Sequence, residues 1–164
     1  IAPATISEIQ TALIELGEAV GAPERGEELA LAMEARLAEL VASVQRSFRP
    51  RVWIEVWHDP LMTAGPGSFM HELIELAGGE NIAGDADSPW PIFSEELVIE
   101  RDPQVVLLTA YNLAEALSRP AWQATSAYQN GCVYEVNPDI FSRTTPRILD
   151  ALAELITIFD EVQP

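Results

Sequence analysis

Two histidines, each followed by a carboxylate, are the residues of this sequence best suited to metal chemistry: His58-Asp59 and His71-Glu72. Imidazole and carboxylate together form a common metal-ligand set. His71 and Glu72 fall in a helical stretch, where adjacent side chains point about 100° apart, so the two do not chelate one ion together. His58 follows a strand and opens a turn-rich segment. A solvated or loop-fixing role is favoured there, with contact to a bound chelate or its metal as the alternative. The single cysteine, Cys132, excludes an intramolecular disulfide and a cysteine metal cluster. Its setting in Gly131-Cys132-Val133-Tyr134-Glu135-Val136 predicts a buried, inert thiol. No G-x-G-x-x-G, P-loop or H-E-x-x-H motif occurs, and no nucleophile elbow links Ser, His and Asp.

The aromatic residues carry a stronger signal. Trp57, Trp90, Tyr111 and Phe141 all fall at predicted loops or strand ends. Flat rings there suit a large planar ligand, because they offer contact area at little entropic cost; the competing reading is ordinary packing. Trp90 lies between Pro89 and Pro91 in a polar loop, which favours ligand contact. Asp139 and Arg143, four apart, either bond polar groups on a ligand rim or pair with each other. Glu95 and Glu96 follow Ser94 at a helix start. By pattern alone they favour the amino-terminal end of a helix dipole, the alternative being a carboxylate offered to a partner's arginine.

These residues need elements to place them. Apolar spacing predicts a helix over 5–20, with Thr5 and Glu8 as a capping box, and a second helix over 23–48, about 35 Å long, opened by Pro23 and blocked by Pro50. Nearly continuous apolarity over 51–57 reads as a central strand, 58–67 as a turn-rich segment, and 68–77 as a helix capped by Ser68 and ended by Gly78-Gly79. After a loop over 81–93 come a short helix behind Ser94, a buried strand over 105–109, broken helical pieces over 114–128 and a strand over 132–136. A loop over 137–145 leads into a last helix over 146–162. Strands alternating with helices imply an α/β, three-layer Rossmann-like lobe around a parallel sheet, with ligands beyond the carboxyl ends of the strands. Two helices ahead of that sheet suggest a chain entered in the middle of something larger.

Composition narrows the function. The 164 residues carry 26 carboxylates against nine cationic side chains, all arginine, for a formal net charge of −17. Such a surface repels phosphate backbones and argues against nucleic-acid binding. Hydrophobic residues make up 48%, yet no apolar run reaches the roughly 18 residues of a membrane span. No secretory leader is visible at Ile1.

Four stretches occur together: Glu55-Val56-Trp57-His58-Asp59-Pro60-Leu61 running into Thr63-Ala64-Gly65-Pro66-Gly67; Leu76-Ala77-Gly78-Gly79-Glu80-Asn81-Ile82; Trp90-Pro91 with Ser94-Glu95-Glu96 and Arg101-Asp102-Pro103; and Val136-Asn137-Pro138-Asp139 with Arg143 and Thr145-Pro146-Arg147. Their order resembles the carboxy-terminal half of periplasmic binding proteins for vitamin B12, ferric siderophores and haem, with Trp90, Asp139 and Arg143 closest to the vitamin B12 branch. The resemblance covers most of 50–160. It implies two α/β lobes joined by a long helix, with the ligand in the cleft between them. Residues 1–22 would end the amino-terminal lobe, 23–49 would be the connector and 50–164 the carboxy-terminal lobe. It further implies a non-enzymatic carrier without an intrinsic cofactor. The cargo would be cobalamin or a related corrinoid, touched by Met62 (where that branch has an aromatic), Trp90, Asp139 and Arg143, with Trp57 and Tyr111 as weaker candidates. Glu96 matches the carboxylate that docks an ABC permease. The expected location is periplasmic or extracytoplasmic, with membrane attachment through the permease or a lipid anchor. Self-association through apolar surface is a further expectation. The rivals are a haem or ferric-siderophore carrier of the same fold, a small α/β or metal-dependent hydrolase, and a stand-alone interaction domain.

Overall fold

A computed structural model describes residues 3–109 and 113–162. The chain opens with a helical hairpin, α1 (Ile6–Ala19) and α2 (Pro23–Ser43). Thr5 caps α1 by accepting the Glu8 N–H. The Glu8 carboxylate reaches back to Ala4 rather than to Thr5 itself. Further on, Glu72 accepts the Ile6 N–H at 2.8 Å, tying the start of α1 to the α/β layer. The two helices cross closely because Gly17 faces Gly26: a Cβ on Gly17 would stand 2.8 Å from the Gly26 Cα.

The second helix ends at Ser43, five residues before the expected Phe48. Pro50 disfavours helix only at the residue before it. The earlier stop has a tertiary cause. Arg46, in the extended stretch after α2, donates to the carbonyls of Ala77 and Ile156 and pairs with Asp160 at 2.5 Å. Its guanidinium also lies over the Phe159 ring. These partners are met by an extended chain, and together they outweigh another helical turn.

The sheet is built on β1 (Arg51–His58), which pairs in parallel with β3 (Glu80–Asn81) and β4 (Val105–Leu108); β5 (Val133–Glu135) extends it beyond β4, also in parallel. One strand was not anticipated. Within the stretch expected to be turn-rich, β2 (Leu61–Thr63) returns antiparallel along β1, making the sheet order β2-β1-β4-β5. Alternation along β1 builds two cores. Val52 and Ile54 join α3 (Phe69–Leu76), α8 (Ile148–Glu161) and the α1–α2 hairpin on one face. Trp53 joins Val106, Leu108, Val98 of α4 (Glu95–Arg101) and Trp122 on the other. Helices on both faces of a mainly parallel sheet give the expected three-layer α/β lobe.

The short elements α5 (Leu113–Ser118), a 3-10 turn (Pro120–Ala124) and α6 (Ser126–Gln129) lead into β5. The expected loop over 137–145 contains a further helical turn, α7 (Pro138–Phe141), capped by the Asn137 side chain. Cys132 precedes β5 and is half-buried rather than buried.

Candidate functional site

The carboxyl end of β1 reverses through Asp59-Pro60 into β2. Across this ribbon Trp57 stands opposite Met62, and Met62 in turn bridges to Ile92 in the segment beyond β2. Directly opposed residues share a face, so the three side chains form one row across β1, β2 and the segment bridged to β2. Trp57 is 51% exposed and Ile92 63%. The Trp57 indole N–H donates to the Asp59 carbonyl at 2.9 Å, and its ring lies 5.4 Å from that of His58, so the exposed indole is held in one orientation. His58 itself is exposed at the turn.

Residues 89–93 run along the outer edge of β2. Pro91 and Pro89 accept the N–H groups of Thr63 and Gly65, and Phe93 donates to the Leu61 carbonyl. Proline lacks a donor but keeps its acceptor, which suits an edge. Trp90, 41% exposed, packs edge-on against the buried Phe69 at 6.3 Å. Gly65 permits this approach: any Cβ there would collide with the Ser88 carbonyl.

Asp139 and Arg143 lie beyond β5, on the far side of β4 from Trp57. They pair at 3.0 Å and both are largely exposed. With strands about 4.8 Å apart, the edge from Ile92 to Asp139 spans on the order of 20 Å. Under it, Glu55 is fully buried and receives both arms of Arg119, at 2.7 and 3.1 Å. Burial of Arg119 disfavours its charge, but hydrogen bonds and charge attraction from Glu55 and Glu115 prevail and raise its pKa above the ordinary arginine value. The pair locks α5 and the following turn to β1.

The structure therefore brings Trp57, Met62 and Trp90 to one side of the strand-end edge and Asp139 with Arg143 to the other. Tyr111 lies outside the described residues. Phe141, expected at the edge, is fully buried in the core beside α8 and is a packing residue. Ile92 was missed because the prolines around it read as loop; the alternation of Trp90 and Ile92 was its signal. His71 and Glu72 are structural. The His71 Nδ1 lies 3.0 Å from the Asn81 amide, and Glu72 binds the start of α1. Asn81 is buried and bridges the Ala64 carbonyl and the Ala83 N–H, which explains its place after Gly78-Gly79. A groove of about 580 Å³ sits elsewhere, at the amino end of β1, and its Arg51 and Arg101 are committed to Asp102 and Asp85. Among the described residues no group of three or more His, Cys, Asp or Glu could hold a metal ion.

Glu96 is exposed in the first turn of α4. Its own backbone N–H, and then the Ser94 hydroxyl, hold its carboxyl below the usual glutamate value. Glu96 is thus a solvent-facing anion at neutral pH.

The periplasmic binding protein family model matches residues 2–140. The chain belongs to the periplasmic binding protein family. Among its relatives, the vitamin B12-binding protein of Vibrio cholerae is 32% identical over 154 residues, 93% of this chain and 56% of the relative. An uncharacterised ABC transporter substrate-binding lipoprotein of Bacillus subtilis is 28% identical, over 92% of this chain and 49% of its own length. The crystal structure of the Vibrio cholerae periplasmic vitamin B12-binding protein superposes with a TM-score of 0.85 at 31% identity, covering 96% of this chain and 62% of that one. A periplasmic haem-binding protein from Roseiflexus superposes at 0.84 with 26% identity, covering 94% and 63%. The chain thus spans a little over half the length of several of these relatives. Among the described residues no helix is long and apolar enough to cross a membrane.

Proposed function

We propose that this chain is part of the extracytoplasmic substrate-binding component of an ABC importer, carrying a cobalamin-type corrinoid. In this reading residues 50–164 form the carboxy-terminal lobe, 23–49 the connector and 1–22 the end of the other lobe. The ligand lies in the cleft against the strand-end edge. The observation that carries the reading is the apolar row of exposed Trp57 and Ile92 with half-buried Met62 between them, beside Trp90 and flanked by the Asp139–Arg143 pair, at the edge where α/β sheets bind ligands. The rings cover a flat macrocycle, and the ion pair offers an acceptor and a donor to its rim. The similarity to vitamin B12-binding relatives, which covers 93–96% of this chain and 56–62% of theirs, supports this choice of cargo. The protein binds and delivers and catalyses no step. Glu96 meets an arginine of the permease.

An amide NMR titration with cyanocobalamin, repeated with haemin, tests the assignment. This edge alone supplies part of the contact area of a two-lobed site, so a Kd in the tens of micromolar, about −6 kcal/mol, is expected. Shifts should centre on Trp57, Met62, Trp90, Asp139 and Arg143 with the corrinoid. Shifts with haemin alone would transfer the assignment to a haem carrier. For Glu96→Ala, ligand affinity should be unchanged while uptake through the cognate permease drops at least about tenfold. Undiminished uptake would remove Glu96 from the docking surface.

A further inference from the structure

The α1–α2 hairpin carries a surface that cargo binding leaves unused. Of the ten large apolar side chains exposed among the described residues, six lie on this hairpin. Such clustering differs from the scatter of single apolar residues on an ordinary surface and marks a contact area. Two of the six, Ile14 of α1 and Leu31 of α2, line a groove of about 450 Å³ between the helices, with the buried Ala30. A second hollow of about 380 Å³, lined by Ile6, Leu37 and Leu76, shares Ser7 and Gln10 with the first. The two form one trough that runs along the hairpin toward α3. On α2 it extends from Glu27 to Leu37, about 15 Å at the rise of an α-helix. None of its lining residues belongs to the strand-end edge or to α4.

The trough is apolar inside and anionic at its rim. Glu27, Leu31 and Glu34 fall on one stripe of α2, and Leu31 is 65% exposed between the two carboxylates. The hairpin's two arginines are taken up elsewhere, Arg25 by Glu28 and Arg36 by Glu39, which leaves Glu27 and Glu34 without a cation among the described residues. At the α3 end the carboxylates are already engaged. Glu72 accepts the Ile6 N–H, and Glu75 accepts from Arg49 and from the Asn81 N–H. The unmatched charge therefore sits on the Glu27–Glu34 stripe, about 10 Å long.

A trough between two helices presents no strand edge, so an extended peptide gains no main-chain hydrogen bonds there. A helix laid along it does better. Its apolar stripe covers Ile14, Ala30 and Leu31, and cations about seven residues apart reach Glu27 and Glu34. Charge decides against a second copy. The chain has no lysine, a net charge of −17, and nine arginines that each lie within 3.5 Å of one of its own carboxylates. A copy thus has no basic helix face to offer, and apposed hairpins would set carboxylate against carboxylate.

We infer that the trough between α1 and α2 is a docking surface for a basic amphipathic helix of another protein, with Leu31 as its apolar contact and Glu27 and Glu34 as its charge contacts. The inference goes beyond the carrier reading and does not depend on the cargo.

The test is fluorescence anisotropy of a labelled helical peptide of about 14 residues, long enough to span the trough, with leucines on one stripe and lysines flanking it. Two matched peptides replace the lysines by glutamine or by glutamate. The leucine–lysine peptide should bind the chain at least about tenfold tighter than the glutamine peptide, and the glutamate peptide should not bind. Leu31→Ser should weaken binding at least about tenfold, and Glu27→Gln/Glu34→Gln several-fold. Glu18→Gln/Glu100→Gln removes the same charge from exposed positions outside the trough and should change affinity less than about twofold. Melting temperatures should be unaltered, because every substituted side chain is exposed. Equal weakening by the two double variants would overturn the proposal in favour of diffuse attraction to an acidic surface. Equal binding of the glutamine peptide would overturn the charge selection, and failure of the lysine peptide to bind would remove the docking surface altogether. A dimer in light scattering that Leu31→Ser abolishes would make a second copy the occupant and overturn it as well.

Discussion

Single side chains decide how the site is held. Glu55 occupies a position in β1 where alternation calls for an apolar residue, and it is tolerated there because Arg119 reaches it with both nitrogens. Arg119→Ala would strip that partner from a fully buried carboxylate and should cost about 3–5 kcal/mol, read as a lowered urea midpoint with an unchanged slope. An unchanged midpoint would show that the arginine contributes nothing to stability. Asp102 sets a pH limit. Burial pushes its carboxyl up, but the Ser126 N–H and hydroxyl and the Arg51 guanidinium together hold it below the ordinary aspartate value. Its contribution is therefore complete above the unfolded value of about 3.9 and is lost as pH falls through the lower folded value. Asp102→Asn keeps the left-handed backbone at φ 43° accessible and should flatten the acid limb of the stability curve without altering stability at pH 7 relative to pH 5. None of these roles is visible in residue identity alone. A lone Glu in an apolar run gives no hint of an arginine 64 positions away.

At the scale of elements, close backbone approach governs. The α1–α2 crossing has no room for a side chain at Gly26, where a Cβ would stand 2.7 Å from the Leu13 carbonyl. Gly26→Ala should lower stability by about 1–3 kcal/mol with little loss of helical circular dichroism, because the hairpin has to separate while each helix persists. Gly65→Ala acts differently. It pushes away the strap bearing Trp90 and Ile92, so ligand affinity should fall more than melting temperature; equal losses in both would mean the strap is part of the stability core. Most of these elements were legible. Ser68 and Ser94 announced their helices, and the apolar runs announced β1, β4 and β5. The strand β2 was not legible, since three residues between a proline turn and a glycine-rich segment carry too little period to separate strand from loop.

For the whole molecule, Ile6, Ile9, Met33 and Leu40 of the hairpin lie in one continuous core with α3, α8 and one face of the sheet. The hairpin and the α/β layers thus share one core across residue 50. Heat or urea should unfold the described chain in one transition, with tryptophan fluorescence and far-ultraviolet circular dichroism coinciding. A separate early loss of helical signal would show that the hairpin melts alone. With this surface charge, the permease docking proposed above is expected to be salt-sensitive, with affinity falling as ionic strength shortens the Debye length from about 10 Å at 0.1 M.

The sequence by itself determined the layer architecture, the caps, the acidic surface and which chain ends of the strands carry unusual residues, because period, capping chemistry and charge are local properties. Only the tertiary structure decided which of those residues act together. Register across β1 and β2 placed Trp57 beside Met62, an edge pairing added Ile92, and the core claimed Phe141. It also stopped α2 at Ser43, where three distant acceptors compete successfully for Arg46. Such outcomes depend on partners far apart in the chain, and no local pattern encodes their distance.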